Sequence, residues 1–166
     1  MHEISAFTDR RDGSEYRTVR MLDGHVWMAE NFRFNSQGAV TLDDYAPSQY
    51  GRLYSFSEAR MATPAGCRLP TSDDWSSLCG LYQNSVQGLA DAGFDIDHVP
   101  MSSSGVGSGW YTDTVATYWT SSRPKSFFGL FEEKGTALVA KFAERSLYMI
   151  GSEHDSFRMS VRFICG

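Results

Sequence analysis

The chain has 166 residues, 42% of them apolar and 14% aromatic, which excludes a disordered polypeptide and fits one domain, residues 1–166, with a sizeable core. A formal net charge of −5, with Lys and Arg dispersed, offers no basic field for nucleic acid. No apolar run approaches a membrane span, so no membrane insertion is expected. The N-terminal MHEISAFTDRRDG has neither the basic nor the apolar region of an export signal, so the chain is expected either to fold in the cytoplasm or to have lost its signal.

From the N-terminus, Asp12-Gly13 and Asp23-Gly24 are turn signals. Tyr16, Thr18 and Arg20 alternate with Arg17, Val19 and Met21 after the first turn, and Val26, Trp27 and Met28 follow the second, so three short strands are expected at one end of a sheet. Glu30 and Asn31 close this segment and are read as structural. Residues 35–49 are polar and read as a loop. Leu53, Phe56, Ala59 and Arg60 recur at helical spacing and predict a short helix within Tyr50–Met61, stopped by Pro64-Ala65-Gly66.

The clearest local signal is Ala65–Tyr82. Pro70 holds Leu69 extended, Thr71 is an N-cap, and Ser72, Asp73 and Asp74 fill a first turn whose dipole favours acids. Trp75, Leu78, Cys79 and Tyr82 then recur at i, i+3, i+4 and i+7, which predicts a helix ending near Gln83 with one apolar stripe pressed into a core. A further helical piece is expected over Ser85–Ala92, and Phe94, Ile96 and Val99 alternate with polar residues as a strand or strand-like loop.

Pro100–Thr117 is rich in Ser and Gly around Trp110 and Tyr111 and is expected to be a long surface loop. Strands are expected at Tyr118–Ser122, Ala137–Phe142, Leu147–Ile150 and Met159–Ile164. Alternation puts Leu138, Ala140 and Phe142 on one face, read as core, and Val139, Lys141 and Ala143 on the other, read as exposed.

Several words of this sequence, in order, resemble the Fibrobacter succinogenes major domain family of the C-type-lectin-like and formylglycine-generating-enzyme-like superfamily. They are Asp9–Tyr16 (DRRDGSEY), Val26–Phe32 (VWMAENF), Tyr50–Ala59 (YGRLYSFSEA), Gly66–Trp75 with its RLPT, Tyr118–Ser122 (YWTSS) and Ser160–Phe163 (SVRF). The resemblance implies an α+β, C-type-lectin-like fold: terminal strands together in a central antiparallel sheet, two flanking helices, long irregular loops and a second small sheet.

It also implies recognition rather than catalysis. Enzymes of the superfamily use two copper-binding cysteines, whereas Cys67 stands where the family motif has Trp, Cys79 lies on a helix stripe, and Cys165 is next to last; no pair is closely spaced. The calcium-binding words of calcium-dependent lectins do not occur, and Asp95 with Asp97 lacks the further oxygen ligands that calcium needs. His2, His25, His98 and His154 are not spaced for zinc, Glu153-His154-Asp155 reads as a solvated turn, and GVGSG is not followed by a helix. No enzyme activity, metal or cofactor is expected.

The expected partner is a cell-surface protein or glycan receptor, with other virion or fibre subunits as further partners. The residues expected to bind it are Trp110, Tyr111, Phe128, Lys141, Arg145 and Tyr148, because aromatics and Arg anchor interfaces. Many relatives carry a cysteine before RLPT and another near the end, a pair expected to be bridged; here those positions are Thr63 and Phe163. All three cysteines are therefore expected to be reduced. That expectation favours a phage virion receptor-binding or decoration domain, as on a tail fibre, over a secreted bacterial adhesin or pilus-tip domain, with a degenerate formylglycine-generating-type enzyme as the third alternative.

Overall fold

The computed structural model describes residues 3–41, 50–96, 101–102, 110–111, 115–125, 136–143 and 147–166. Strands β1 (Ile4–Thr8), β2 (Glu15–Arg20) and β3 (Val26–Met28) form an antiparallel meander through the two predicted Asp-Gly turns, with Gly13 at φ 74° and Gly24 at φ 83°. The sheet is completed by β4 (Cys67–Arg68) and the last strand, β10 (Ile164–Cys165), in the order β1-β2-β3-β10-β4. Both terminal strands thus share one sheet, with β10 pairing β3 and β4 rather than β1.

Among the described residues, three helices of six or more residues accompany it. α1 (Phe56–Met61) is closed at its start by a capping box in which Ser55 and Glu58 satisfy each other's backbone N–H. α2 (Ser72–Leu81) begins after Thr71 with the same device supplied by Asp74, and buries Trp75, Leu78 and Cys79. α3 (Val86–Asp91) follows its cap, Ser85. The first helix starts later than the apolar spacing suggests. Gly51 (φ 78°) lies so close to Asn31 and Phe32 that a Cβ would collide with them, and Leu53 and Tyr54 bridge to Val40 and Met159 as extended chain.

The second half builds an antiparallel sheet of β7 (Val115–Trp119), β8 (Thr136–Ala143) and β9 (Leu147–His154), together with a two-stranded ribbon of β5 (Met101–Ser102) and β6 (Trp110–Tyr111). The fold is mixed α+β. Pro100–Thr117 is therefore not one loop: Ser102 pairs Trp110, Met101 pairs Tyr111, and Val115–Thr117 belong to β7 because β-branched residues there meet a partner in β8. Phe94 and Ile96 are buried on either side of exposed Asp95, but no strand forms there; Val99 lies outside the described residues.

Two apolar clusters fill the molecule. In the first, Trp75 packs on Trp27 (4.8 Å between ring centroids), Tyr118 (5.3 Å), Phe142 (5.5 Å) and Phe94 (6.0 Å), joining α2 to both sheets. The second gathers Tyr16, Met28, Phe32, Tyr54, Phe56, Trp119, Val139 and Phe163. β8 serves both. The face of Val139, expected to be exposed, is buried at Ala137 and Val139, because the second cluster covers it.

Cys67 and Cys165 face each other across β4 and β10, with Cα atoms 4.1 Å apart, and are joined by a disulfide. This corrects the expectation of three free thiols. A separation of 98 residues hides the pairing in the sequence, and only the antiparallel register brings the two side chains together. Cys79 alone is free; it is buried, and burial pushes its thiol up to about 12.

Candidate functional site

The words carrying the family resemblance converge on a rigid frame. Trp27, Tyr54, Trp75, Trp119 and Phe163 are all fully buried. Trp119 donates its indole N–H to the Tyr54 carbonyl at 2.7 Å. Thr120 Oγ1 donates to Leu138 O at 2.8 Å, Ser121 N to Pro70 O at 2.8 Å, and Ser72 N to Ser122 Oγ at 3.0 Å. The YWTSS word thus ties the end of β7 to the start of α2.

SVRF and VWMAENF meet in a buried polar knot. Arg162, fully buried, donates Nε to Asn31 Oδ1 (2.9 Å) and Nη1 to Ala29 O (2.9 Å), while its guanidinium lies over the rings of Phe94 and Tyr118. Asn31 Nδ2 donates to Tyr50 O, and Glu30 accepts from Arg17 N and Arg33 Nη1. Both residues act in the frame, as read from the sequence.

The shifted titrating groups also belong to the frame. Burial raises Tyr54 and Tyr16. Burial would raise Asp74 as well, but hydrogen bonds from Arg68 and from the Thr71 N–H and hydroxyl outweigh it and hold the carboxyl at about 2. A hydrogen bond from Arg11 lowers Asp9. Among the described residues no group of three or more His, Cys, Asp or Glu could hold a metal, and no helix is long and apolar enough to cross a membrane.

The candidate recognition residues lie outside these words. Val115, Ala143 and Leu147 form the end row of the three-stranded ladder. Lys141 and Tyr148 lie within two residues of that row, and Tyr111 stands four residues before Val115, within about 14 Å by chain length. Arg145, between Ala143 and Leu147 in the chain, and Phe128 lie outside the described residues. The ladder therefore brings Lys141 and Tyr148 to one end of the sheet, while Trp110 and Tyr111 belong to the separate β5–β6 ribbon that precedes β7 in the chain. Register also divides them: Lys141 pairs Met149 whereas Tyr148 pairs Phe142, so positions 141 and 148 occupy opposite faces. Phe128 belongs to the connection that leaves Lys125 for Thr136, whose partner in β9 is His154, at the other end.

Comparison of the chain with protein-family models, with curated proteins and with solved structures finds no match.

Proposed function

We propose that this protein is a non-catalytic recognition module of the C-type-lectin-like kind, binding a cell-surface protein or glycan independently of calcium. The observation that carries the reading is a division of labour along the chain. Most of the family-like words supply the buried frame, while Lys141 and Tyr148 lie at one end of the three-stranded sheet and Trp110 and Tyr111 on the separate ribbon that precedes it in the chain. A rigid scaffold presenting aromatic and cationic residues is the arrangement that recognition favours. The cysteine chemistry agrees with a non-catalytic role, since two thiols are consumed in a bridge and the third is buried with its pKa raised.

The bridge also reorders the settings. Disulfides persist in oxidising compartments, so a bacterial surface adhesin or pilus-tip domain becomes the first reading and a virion receptor-binding domain the second. The test is a glycan array with a pulldown from outer-membrane extracts, followed by Trp110→Ala and Tyr111→Ala. Each variant is expected to keep its stability within about 0.5 kcal/mol and to lose about 2 kcal/mol of binding. Stable variants that attach to receptor-bearing cells like the parent would remove this ribbon from the site.

A further inference from the structure

A second surface lies on the helices, lined by none of the residues assigned to recognition. α2 buries Trp75, Leu78 and Cys79, but its last residue, Leu81, falls off that stripe and is 48% exposed. Tyr82 follows, half-buried, with its hydroxyl donating to Met21 Sδ at 4.0 Å. That contact joins the helix end to the β2–β3 connection, in which Leu22, next to Met21, is 60% exposed. Beyond Tyr82 the chain turns through Gln83 and Asn84, both at φ 56°, and Asn84 N donates to Cys79 O at 2.8 Å. Two successive non-glycine residues in the left-handed region are costly, and they bend α3 away to leave a depression of about 350 Å³ lined by Leu81, Tyr82, Gln83, Ser85, Gln87 and Asp91.

The stretch of chain that lines this depression is acidic in composition. Residues 69–122 contain no Lys or Arg, but carry Asp73, Asp74, Asp91, Asp95, Asp97 and Asp113. Asp74 is neutralised by Arg68, and Asp95 by Arg17. Asp91, on the rim, is exposed and accepts only from Gln87 Nε2 among the described residues. Asp23, next to Leu22, is already engaged, accepting from Trp27 Nε1 and His25 N. A depression lined by an exposed leucine, an aromatic ring and the Asp91 carboxylate complements a side chain with an apolar stem and a cationic head.

We infer that this α2–α3 shoulder docks a basic segment of a partner protein, with a Lys or Arg stem along Leu81 and Tyr82, its head at Asp91, and an apolar neighbour against Leu22. The same acidic field repels nucleic acid and anionic lipid.

The test is titration of the ¹⁵N-labelled full chain with a synthetic peptide of alternating Leu and Arg, and with its Leu/Glu counterpart. The Leu/Arg peptide is expected to shift the amides of Leu22, Asp23 and residues 81–91 saturably. Leu81→Ser and Asp91→Asn, both at exposed positions, are each expected to weaken it about fivefold, the loss of one surface anchor, with melting unchanged. Asp73→Asn, on the same helix but outside the depression, is expected to change binding less than about twofold, which separates docking from diffuse attraction. Shifts confined to β8 and β9, equal binding of the Leu/Glu peptide, or an equal effect of Asp73→Asn would overturn the inference. So would a dimer of the chain alone that Leu81→Ser dissolves, because the surface would then belong to a second copy.

Discussion

Removing the Cys67–Cys165 bridge tests both the fold and the setting proposed for the protein. The bond joins strands of two residues each, and β10 is otherwise held to β3 through the single pair Ile164–Trp27 and to β4 through Ile164–Arg68. It closes a loop spanning 98 residues, which includes α2, α3 and the whole three-stranded sheet. Chain entropy for a loop of roughly 100 residues corresponds to about 4.7 kcal/mol, and removal of native bridges costs about 2–5 kcal/mol in practice. For a chain of this length each kcal/mol lowers Tm by about 2–4 °C, so the double variant Cys67→Ser/Cys165→Ser should melt about 5–15 °C below the oxidised parent. Reductant should move the parent towards the variant and leave the variant unmoved. Alkylation in denaturant without reductant should label Cys79 alone, and hydrogen exchange should rise first at residues 66–69 and 163–166 of the variant. Labelling of all three cysteines, or a variant melting within about 1 °C of the parent, would refute the bridge and return the virion setting to first place.

Trp75 is fully buried among four other rings, so Trp75→Ala should cost about 3–5 kcal/mol in chemical denaturation; a loss below about 1 kcal/mol would mean that α2 is not docked as described. Trp75→Phe should cost less, about 1–2 kcal/mol, because it keeps a ring and removes an indole N–H that is buried without a hydrogen-bond partner. Asp74 has a folded pKa of about 2 against an ordinary 3.8, so its contribution is present above about pH 4 and is lost as pH falls through 2. Allowing for solvent screening this amounts to about 1–2 kcal/mol, and Asp74→Asn should flatten the acid limb of the stability profile between those pH values. An unchanged limb would assign acid sensitivity to other carboxylates.

Features that depend on neighbours in the chain were legible from residues alone. The turns at Gly13 and Gly24 follow from the freedom of glycine at positive φ, and the start of α2 follows from Thr71 and Asp74, because a cap is satisfied within four residues. The buried stripe of α2 is equally local, since 3.6 residues per turn fixes which positions share a face. The absence of Lys and Arg from residues 69–122 is equally present in the sequence, but reading Lys and Arg as dispersed passes over it. Where local signals compete, packing decided. Leu53 and Tyr54 have helical spacing with Phe56 but are drawn into bridges with Val40 and Met159, and α1 waits for the Ser55 cap.

What the sequence determined by itself was therefore the type of most elements and the capped helix at the centre. Only the tertiary structure decided that Val139 is interior, that Lys141 and Tyr148 share one end of a sheet but not one face, and that Cys67 meets Cys165. The physical reason is that strand partners are chosen by the free energy of the whole assembly. Pairing register is a property of two segments far apart in the chain, and neither carries a local signal that names the other.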